Sequence, residues 1–370
     1  MARILKFSFK LLVCIFAAIG FVLVAGFFAV KYGFTKVSGE VDVNSSSYNT
    51  MVNKLDESVQ VKTESIYDKE VAEKILLCQV DLVSSYYPVN AKTILDYYEG
   101  NYERILATKM LFALDVRLKS PEYDQRKLNC NNQKYYSNIS AEILRNKLNN
   151  LTTTTNAFSW INEEEWSTIK LAISRDKEKI ILAGKTSGFD SRMLVSACIV
   201  EQERLYHTQR EVYEKVFKPL SILGNANKMA LGVMSIKEST AIQIENNLKD
   251  KTSSYYLGEK YEKLLDFNTD DPVKERFDRL TNEKDHYYSY LYGSLYMKQL
   301  ATQWQKAGFD ISDRPEILAT LFNLGFERSK PKANPEVGGS TIEFKDTKYT
   351  FGSLAYEFYY SGELESDYPL

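Results

Sequence analysis

Histidine is scarce in this chain, and only His207 and His286 occur among its 370 residues. Cysteine is nearly as scarce, with four residues, and no group of Cys and His has the spacing of zinc ligands. The sequence also lacks a G-x-G-x-x-G motif, a phosphate-loop motif and a G-x-S-x-G motif. These absences argue against a zinc enzyme, a nucleotide enzyme and a serine hydrolase. We therefore expect neither a metal nor a cofactor.

Positive charge is not in excess. Lys and Arg number 47 against 49 Asp and Glu, so the formal net charge is −2. A protein that binds nucleic acid neutralises phosphates with clustered basic residues, and we expect no such partner here. Proline is also rare, with 8 residues, while 44% of the chain is hydrophobic. That composition is typical of a folded chain rather than a disordered one.

Charge is missing altogether from residues 11–30, "LLVCIFAAIGFVLVAGFFAV". As a helix this run would be about 30 Å long, the thickness of a bilayer's hydrocarbon core. It is longer than the apolar core of most cleaved signal peptides, so we predict an uncleaved single-pass anchor. Arg3, Lys6 and Lys10 precede it. The positive-inside rule then places residues 1–10 in the cytoplasm and residues 31–370 outside the inner membrane, on the periplasmic or cell-wall side.

The four cysteines fall into two groups. Cys14 lies in the predicted anchor, and Cys198 lies in an apolar run and is predicted to be a core thiol. Cys78 and Cys130 would pair in an oxidising compartment and stay reduced in a reducing one, and the sequence leaves both states open.

The predicted fold is mainly α. Residues 31–66 are polar and are typical of a linker, residues 67–156 form a helical N-terminal region, and residues 157–370 form a second domain. Strand signals are sparse. One short β hairpin is predicted near residues 341–351, from "STIEF" and "KYTF" on either side of a turn.

One predicted helix is apolar on almost every side. It begins after Asp190, a plausible N-cap, and from Met193 to Val200 only Ser196 is polar. Such a helix is predicted to be buried. Its apolar part ends at Glu201 and Glu203, and a carboxyl at the end of a buried helix is a candidate general acid. The alternative is that both glutamates begin a solvated half of the helix and pair with Arg204 or Arg210.

The segment "GVMSIKESTA", residues 232–241, is rich in small and hydroxylated residues. Gly232 has no Cβ and would let the backbone approach a ligand closely. Met234 would supply an apolar wall, and Ser239 or Thr240 would cap the helix that follows.

Several segments of the chain, taken in sequence order, resemble motifs of the lytic transglycosylases of the lysozyme-like fold. These enzymes, of the soluble lytic transglycosylase type, cleave the glycan strands of peptidoglycan. "GFDSRMLVSA" is similar to the start of that family's catalytic helix, and "ACIVEQER" places the family's glutamate at Glu203 rather than Glu201. "GVMSIKESTA" resembles G-L-M-Q-I-x-P-x-T-A, "GSLYMKQL" resembles G-x-x-Y-L-x-x-L, and "ATLFNLG" resembles A-x-x-Y-N-x-G. The resemblance spans residues 157–326.

The resemblance implies a lysozyme-like domain over residues 157–370 that cleaves MurNAc-GlcNAc bonds without water and leaves 1,6-anhydro ends. Glu203 would be the single acid/base. The residues it implies for contact with the glycan strand are Gly232, Met234, Ser235, Ile236, Tyr292, Phe322 and Asn323. Four positions depart from the family pattern, with Arg204 for Ser, Ser235 for Gln, Glu238 for Pro and Phe322 for Tyr.

Two other interpretations remain. A hydrolysing muramidase would need a second carboxylate, for which Glu238 and Asp285 are the candidates. A non-catalytic, membrane-anchored protein that binds peptidoglycan or assists envelope assembly would use the same scaffold without the reaction, and the departures at Arg204, Ser235 and Phe322 favour it.

The topology yields a first prediction. Protease added to spheroplasts should degrade residues 37–370, because the basic residues before the anchor hold the N-terminus in the cytoplasm. Immunoblotting with antibodies to the C-terminal part measures this, and a cytoplasmic protein serves as the protection control. Full protection of residues 37–370 in intact spheroplasts would reverse the predicted orientation.

Overall fold

The computed structural model describes residues 66–370 with gaps at 102–103, 116–117, 119, 151–162, 208–229 and 345–346, together with Gly20 and Phe21. The predicted anchor and linker therefore lie almost entirely outside the described residues. Within the part of the chain that is described, no helix is both long and apolar enough to cross a bilayer.

The structure is mainly helical, as predicted. In the N-terminal region the helices are α1 (Ile66–Ser84), α2 (Pro88–Asn101), α3 (Arg104–Asp115), α4 (Pro121–Asn129), α5 (Gln133–Tyr136) and α6 (Ala141–Asn149). The helices that follow are α7 (Glu163–Arg175), α8 (Lys177–Ser187), α9 (Ser191–His207), α10 (Glu238–Lys249), α11 (Pro272–Thr281), α12 (Tyr287–Lys306), α13 (Pro315–Leu324) and α14 (Phe351–Tyr359).

Two antiparallel strand pairs accompany the helices. The predicted hairpin is confirmed, since β3 (Thr341–Phe344) pairs with β4 (Thr347–Thr350). A second pair was not predicted. It joins β1 (Ala230–Leu231) to β2 (Ile236–Lys237), with Leu231 opposite Ile236. It encloses the Gly232–Ser235 part of the segment that the sequence singled out.

Helix α9 begins where the sequence predicted. Helix α8 ends at Ser187, and Gly188 follows with a φ of +63°, a left-handed conformation that favours glycine. The Asp190 Oδ1 atom then accepts a hydrogen bond from the backbone N–H of Arg192 at 2.8 Å, which confirms Asp190 as the N-cap. Its Oδ2 atom accepts from the Tyr359 hydroxyl at 2.9 Å, so the cap is tied to α14.

The apolar run of α9 is buried, as predicted. Every residue from Met193 to Val200 is buried. Helices α7, α8, α12, α13 and α14 and strand β3 all pack against α9. Each large apolar side chain buried in this way contributes about 1.5–3 kcal/mol to folding. Cys198 is the core thiol that the sequence predicted, and burial raises its pKa to about 12, which keeps it unreactive.

Arg192 secures the C-terminal end of the chain to the start of α9. Its buried guanidinium donates hydrogen bonds to the carbonyl oxygens of Tyr359 at 2.7 Å, Glu363 at 3.0 Å and Tyr368 at 2.7 Å. A buried arginine needs such acceptors, because an unpaired charge in the interior is costly. The last residues of the chain are thereby part of the core.

The N-terminal region packs on α14. The Tyr356 hydroxyl donates to the carbonyl oxygen of Lys109 at 3.2 Å, and the rings of Tyr356 and Phe112 lie 5.7 Å apart. The Asn90 side chain donates to the carbonyl oxygen of Ser361 at 3.3 Å. Buried apolar residues of the N-terminal region and of the following helices belong to one cluster. The domain boundary at 156–157 stays a prediction.

Cys78 and Cys130 form a disulfide, which decides the question that the sequence left open. The bond joins α1 to the residue that follows α4, across a sequence separation of 52 residues. A cross-link of that span stabilises chiefly by reducing the entropy of the unfolded chain.

A second prediction follows from this bond. The Cys78→Ser/Cys130→Ser variant should lose about 4 kcal/mol of unfolding free energy, from the loop-entropy relation. Urea titration of the oxidised parent and the double variant measures it. Reductant should destabilise the parent and leave the double variant unchanged. Equal stability of the oxidised parent and the double variant would contradict the prediction.

Candidate active site

Glu203 lies near the carboxyl end of α9, beyond the apolar run. Its side chain is buried, with 1% of the residue exposed. Helix α9 therefore carries a carboxyl into the interior of the protein, where desolvation favours the protonated form of an acid. That is the setting in which a carboxyl can serve as a general acid.

Glu201 is buried as well, but it is engaged in an ion pair. Both of its carboxylate oxygens accept from the guanidinium of Arg204, with an Nε–Oε2 distance of 3.0 Å. The sequence had proposed Arg204 or Arg210 as the partner, and Arg210 lies outside the described residues. Residues two apart on a helix point about 200° away from each other. Glu201 and Glu203 therefore occupy different faces of α9.

Gln202 joins α9 to the segment that begins at Gly232. Its Nε2 atom donates a hydrogen bond to the carbonyl oxygen of Val233 at 2.7 Å. Cys198, one turn earlier on the same face, places its Sγ atom 3.8 Å from that oxygen. The residue immediately before Glu203 thus holds the turn between β1 and β2. The sequence did not single out Gln202 for this contact, and its only signal was its place beside the glutamate.

The turn has an unusual backbone. Gly232 has a φ of +69° and Ser235 a φ of +48°, and the Ser235 N–H donates to the Gly232 carbonyl oxygen at 3.0 Å. A left-handed φ at a residue other than glycine costs about 1–3 kcal/mol and often marks functional sites. The Ser235 Oγ atom is enclosed and has no hydrogen-bond partner in the part of the chain that the structure describes. Strain and an unsatisfied hydroxyl therefore coincide at Ser235.

The structure gives Gly232 a packing role that the sequence did not predict. A Cβ at this position would lie 2.0 Å from the carbonyl oxygen of Leu280 and 2.9 Å from the Oγ atom of Ser289. The end of α11 therefore requires that Gly232 has no side chain, and contact of Gly232 with a ligand stays a prediction. Leu280 is far from Gly232 in sequence, so local pattern gave no sign of this contact.

Met234 and Ile236 lie in the core. Met234 is buried, and a Cβ built on Gly293 would lie 2.9 Å from its Cε atom and 3.3 Å from Leu194. Its backbone N–H donates a hydrogen bond to the Oγ atom of Ser289 on α12 at 3.3 Å. Met234 therefore packs against α12 at Gly293. As residues that contact a ligand, Met234 and Ile236 stay predictions.

The capping prediction for the next helix is wrong. Helix α10 begins at Glu238, directly after β2, with Lys237 as the N-cap and no side-chain cap hydrogen bond. Ser239 and Thr240 therefore lie inside the first turn. The strand pairing of β2 fixes the backbone up to Lys237, so the helix starts before the hydroxyl residues are reached.

Tyr292 lies on α12, is buried and contacts α10. Its hydroxyl donates to the Glu245 Oε1 atom at 2.6 Å, and burial, together with that carboxylate, raises the pKa of Tyr292. Phe322 packs its ring 5.3 Å from that of Tyr296. Asn323 accepts hydrogen bonds from the N–H of Ser340 at 2.8 Å and from its Oγ atom at 3.0 Å. The structure gives all three predicted contact residues a packing or loop-fixing role, and their contact with a ligand stays a prediction.

The two carboxylates proposed for a hydrolase are both engaged elsewhere. Glu238 is buried, and its Oε1 atom lies 3.5 Å from the Nη1 atom of Arg276. Asp285 is exposed, with its Oδ1 atom 3.5 Å from the Nζ atom of Lys179. Among the described residues, no group of three His, Cys, Asp or Glu is arranged to hold a metal ion.

Comparison with models of known protein families gives no match, and neither do comparisons with curated proteins and with solved structures. The function must therefore be inferred from the residues of this chain.

A third prediction tests the backbone of the turn. Gly232→Ala should lose about 2–4 kcal/mol of unfolding free energy, because left-handed strain adds to overpacking against the Leu280 carbonyl. Gly308→Ala is the matched control, since Gly308 has a φ of +87° and nothing lies within 4 Å of its built Cβ. It should lose about 1–2 kcal/mol, the strain alone. Equal losses in urea titration would show that the contact with α11 costs nothing.

Proposed function

We propose that this chain is a membrane-anchored lytic transglycosylase of peptidoglycan, in which residues 157–370 form a lysozyme-like domain and Glu203 is the single acid/base. The observation that carries the proposal is the hydrogen bond from Gln202 to Val233. It joins the turn of the Gly232 segment to the helix that bears Glu203. In the family that this chain resembles, those two elements face each other across the sugar cleft.

The chemistry needs one carboxyl that first donates and then accepts a proton. Glu203 protonates the oxygen of the MurNAc-GlcNAc bond as that bond breaks, and the N-acetyl group of the sugar stabilises the positive centre. The Glu203 carboxylate then takes the proton of the sugar's own 6-hydroxyl, whose oxygen closes the 1,6-anhydro ring. No water is consumed, and Glu203 ends in its starting state. Burial of Glu203 suits the first step, because desolvation favours the protonated carboxyl.

Ser235 supports a ligand contact at the turn. It replaces the glutamine of the family pattern with a shorter side chain, and its enclosed hydroxyl can both donate and accept a hydrogen bond. An amide or hydroxyl group of a sugar would satisfy that hydroxyl and offset part of the cost of the strained backbone.

The engaged state of other carboxylates favours transglycosylation over hydrolysis. Glu201 is paired with Arg204, Glu238 with Arg276, and Asp285 lies at the surface near Lys179. A substrate-assisted reaction needs no second carboxylate. The proposed location is the inner membrane, with residues 31–370 outside the cytoplasm, and the Cys78–Cys130 disulfide fits an oxidising compartment. Peptidoglycan glycan strands are the proposed partner there.

A fourth prediction tests the acid/base directly. Glu203→Gln should reduce release of 1,6-anhydro sugars from purified sacculi by about 10⁴-fold or more, since the amide has no transferable proton. Glu201→Gln is the matched control, and it should keep turnover within about a few-fold because it removes charge from a different face of α9. The full chain is assayed in mild detergent, with the melting temperature measured alongside.

The two variants separate the alternatives. Near-normal release of anhydro sugars by Glu203→Gln would exclude Glu203 as the acid. Loss of that release in Glu201→Gln alone would assign the acid/base role to Glu201. If the unaltered chain binds sacculi and releases no anhydro sugar, the non-catalytic binding protein is the better account.

A further inference from the structure

A buried charge cluster lies directly beyond the candidate site. The guanidinium of Arg276 donates to both carboxylate oxygens of Glu245, with Nε–Oε1 and Nη2–Oε2 distances of 2.7 Å. Its Nη1 atom lies 3.5 Å from the Oε1 atom of Glu238, and the Tyr292 hydroxyl donates to Glu245 at 2.6 Å. All four residues are buried. Arg276 is on α11, the two glutamates are on α10, and Tyr292 is on α12.

Helix α11 therefore holds the Gly232–Glu238 segment at both ends. At one end the carbonyl oxygen of Leu280 leaves no room for a Cβ on Gly232. At the other end Arg276 binds Glu238, the residue that follows β2 and begins α10. Between these points Gln202 and Ser289 hold the backbone of the turn. The position of the segment relative to α9 thus depends on where α11 sits.

The geometry of Arg276 is specific to arginine. Its planar guanidinium matches the two oxygens of Glu245, and it also lies 5.1 Å from the centre of the Phe267 ring. Lysine would keep the positive charge and lose both the paired hydrogen bonds and the stacking. Arg276 is paired with both buried carboxylates, so loosening of Arg276 would allow Glu238 and Glu245 to separate.

We propose that Arg276 is a positioning residue for the candidate active site. By binding Glu245 and Glu238 together it fixes the turn around Ser235 against the helix that carries Glu203. This inference rests on the proposed function, because its consequence is measured as turnover. A displacement of about 1 Å in a positioning element can lower the rate about 10²-fold, since reacting groups must be aligned closely.

Arg276→Lys and Arg279→Lys are the variants that test this inference. Arg279 is also on α11, is buried, and lies 4.9 Å from the centre of the same Phe267 ring. Its guanidinium binds the carbonyl oxygens of Leu265 and Asp266 and the carboxylate of Glu275. The pair therefore shares the helix, the burial and the substitution, and differs in the contact with Glu245 and Glu238.

Three quantities are measured on the full chain in mild detergent: melting temperature, amide hydrogen exchange of residues 230–238, and kcat and KM for release of 1,6-anhydro sugars from soluble glycan strands. Arg276→Lys should speed exchange in residues 230–238 and lower kcat by about 10–10²-fold, with a smaller change in KM. Arg279→Lys should lower the melting temperature to a similar degree. Its exchange rates in residues 230–238 and its kcat should stay at the values of the parent protein.

Each other outcome has a definite meaning. Unchanged exchange in Arg276→Lys would overturn the inference, and so would faster exchange with unchanged kcat, since the cluster would then serve the fold alone. If Arg276→Lys does not fold, Tyr292→Phe removes one donor from Glu245 and should shift exchange and kcat in the same direction by less. An unaltered chain that releases no anhydro sugar defeats the proposed function, while the exchange data still decide whether Arg276 holds the turn.

Discussion

The burial of α9 on all sides from Arg192 to Glu201 is the constraint on which the rest of the structure depends. Five helices and one strand pack around it. The polar contacts described above are made at its two ends. At the start, Asp190 caps the helix, and Arg192 donates hydrogen bonds to carbonyl oxygens near the end of the chain. At the far end, Gln202 binds the turn between β1 and β2. The chain's terminus and its candidate site are thus fixed to one helix.

This arrangement explains why Glu203 differs from Glu201. The two carboxyls leave the same buried helix within one turn, and the guanidinium of Arg204 binds both oxygens of Glu201. Glu203 is as deeply buried and lies on another face. A helix that is apolar over its first half can therefore carry a buried carboxyl beyond that run. Whether a glutamate on α9 is bound to Arg204 thus depends on the face of the helix that it occupies.

Local patterns predicted what local forces decide. Gly188 and Asp190 mark the start of α9, the apolar run from Met193 to Val200 is buried, and the hairpin near 341–351 forms. The β1–β2 pair, the contact between Gly232 and Leu280 and the Arg276 cluster could not be predicted in this way. The Gly232–Leu280 contact and the Arg276 cluster join residues distant in sequence that meet only when α11 and α12 pack on α10. The strands of the β1–β2 pair are two residues long, too short to show an alternating pattern. Ser239 and Thr240 were wrongly expected to cap α10, because the pairing of β2 extends the backbone as far as Lys237 and the helix begins at Glu238.

The central claim is that one carboxyl cleaves the glycan strand without water. The most direct measurement is digestion of purified sacculi in water labelled with heavy oxygen, followed by mass analysis of the released sugars. Transglycosylation predicts 1,6-anhydro products that carry no label, because the ring closes on the sugar's own 6-hydroxyl. Reducing ends that carry one labelled oxygen would contradict the account, since they require water as the nucleophile.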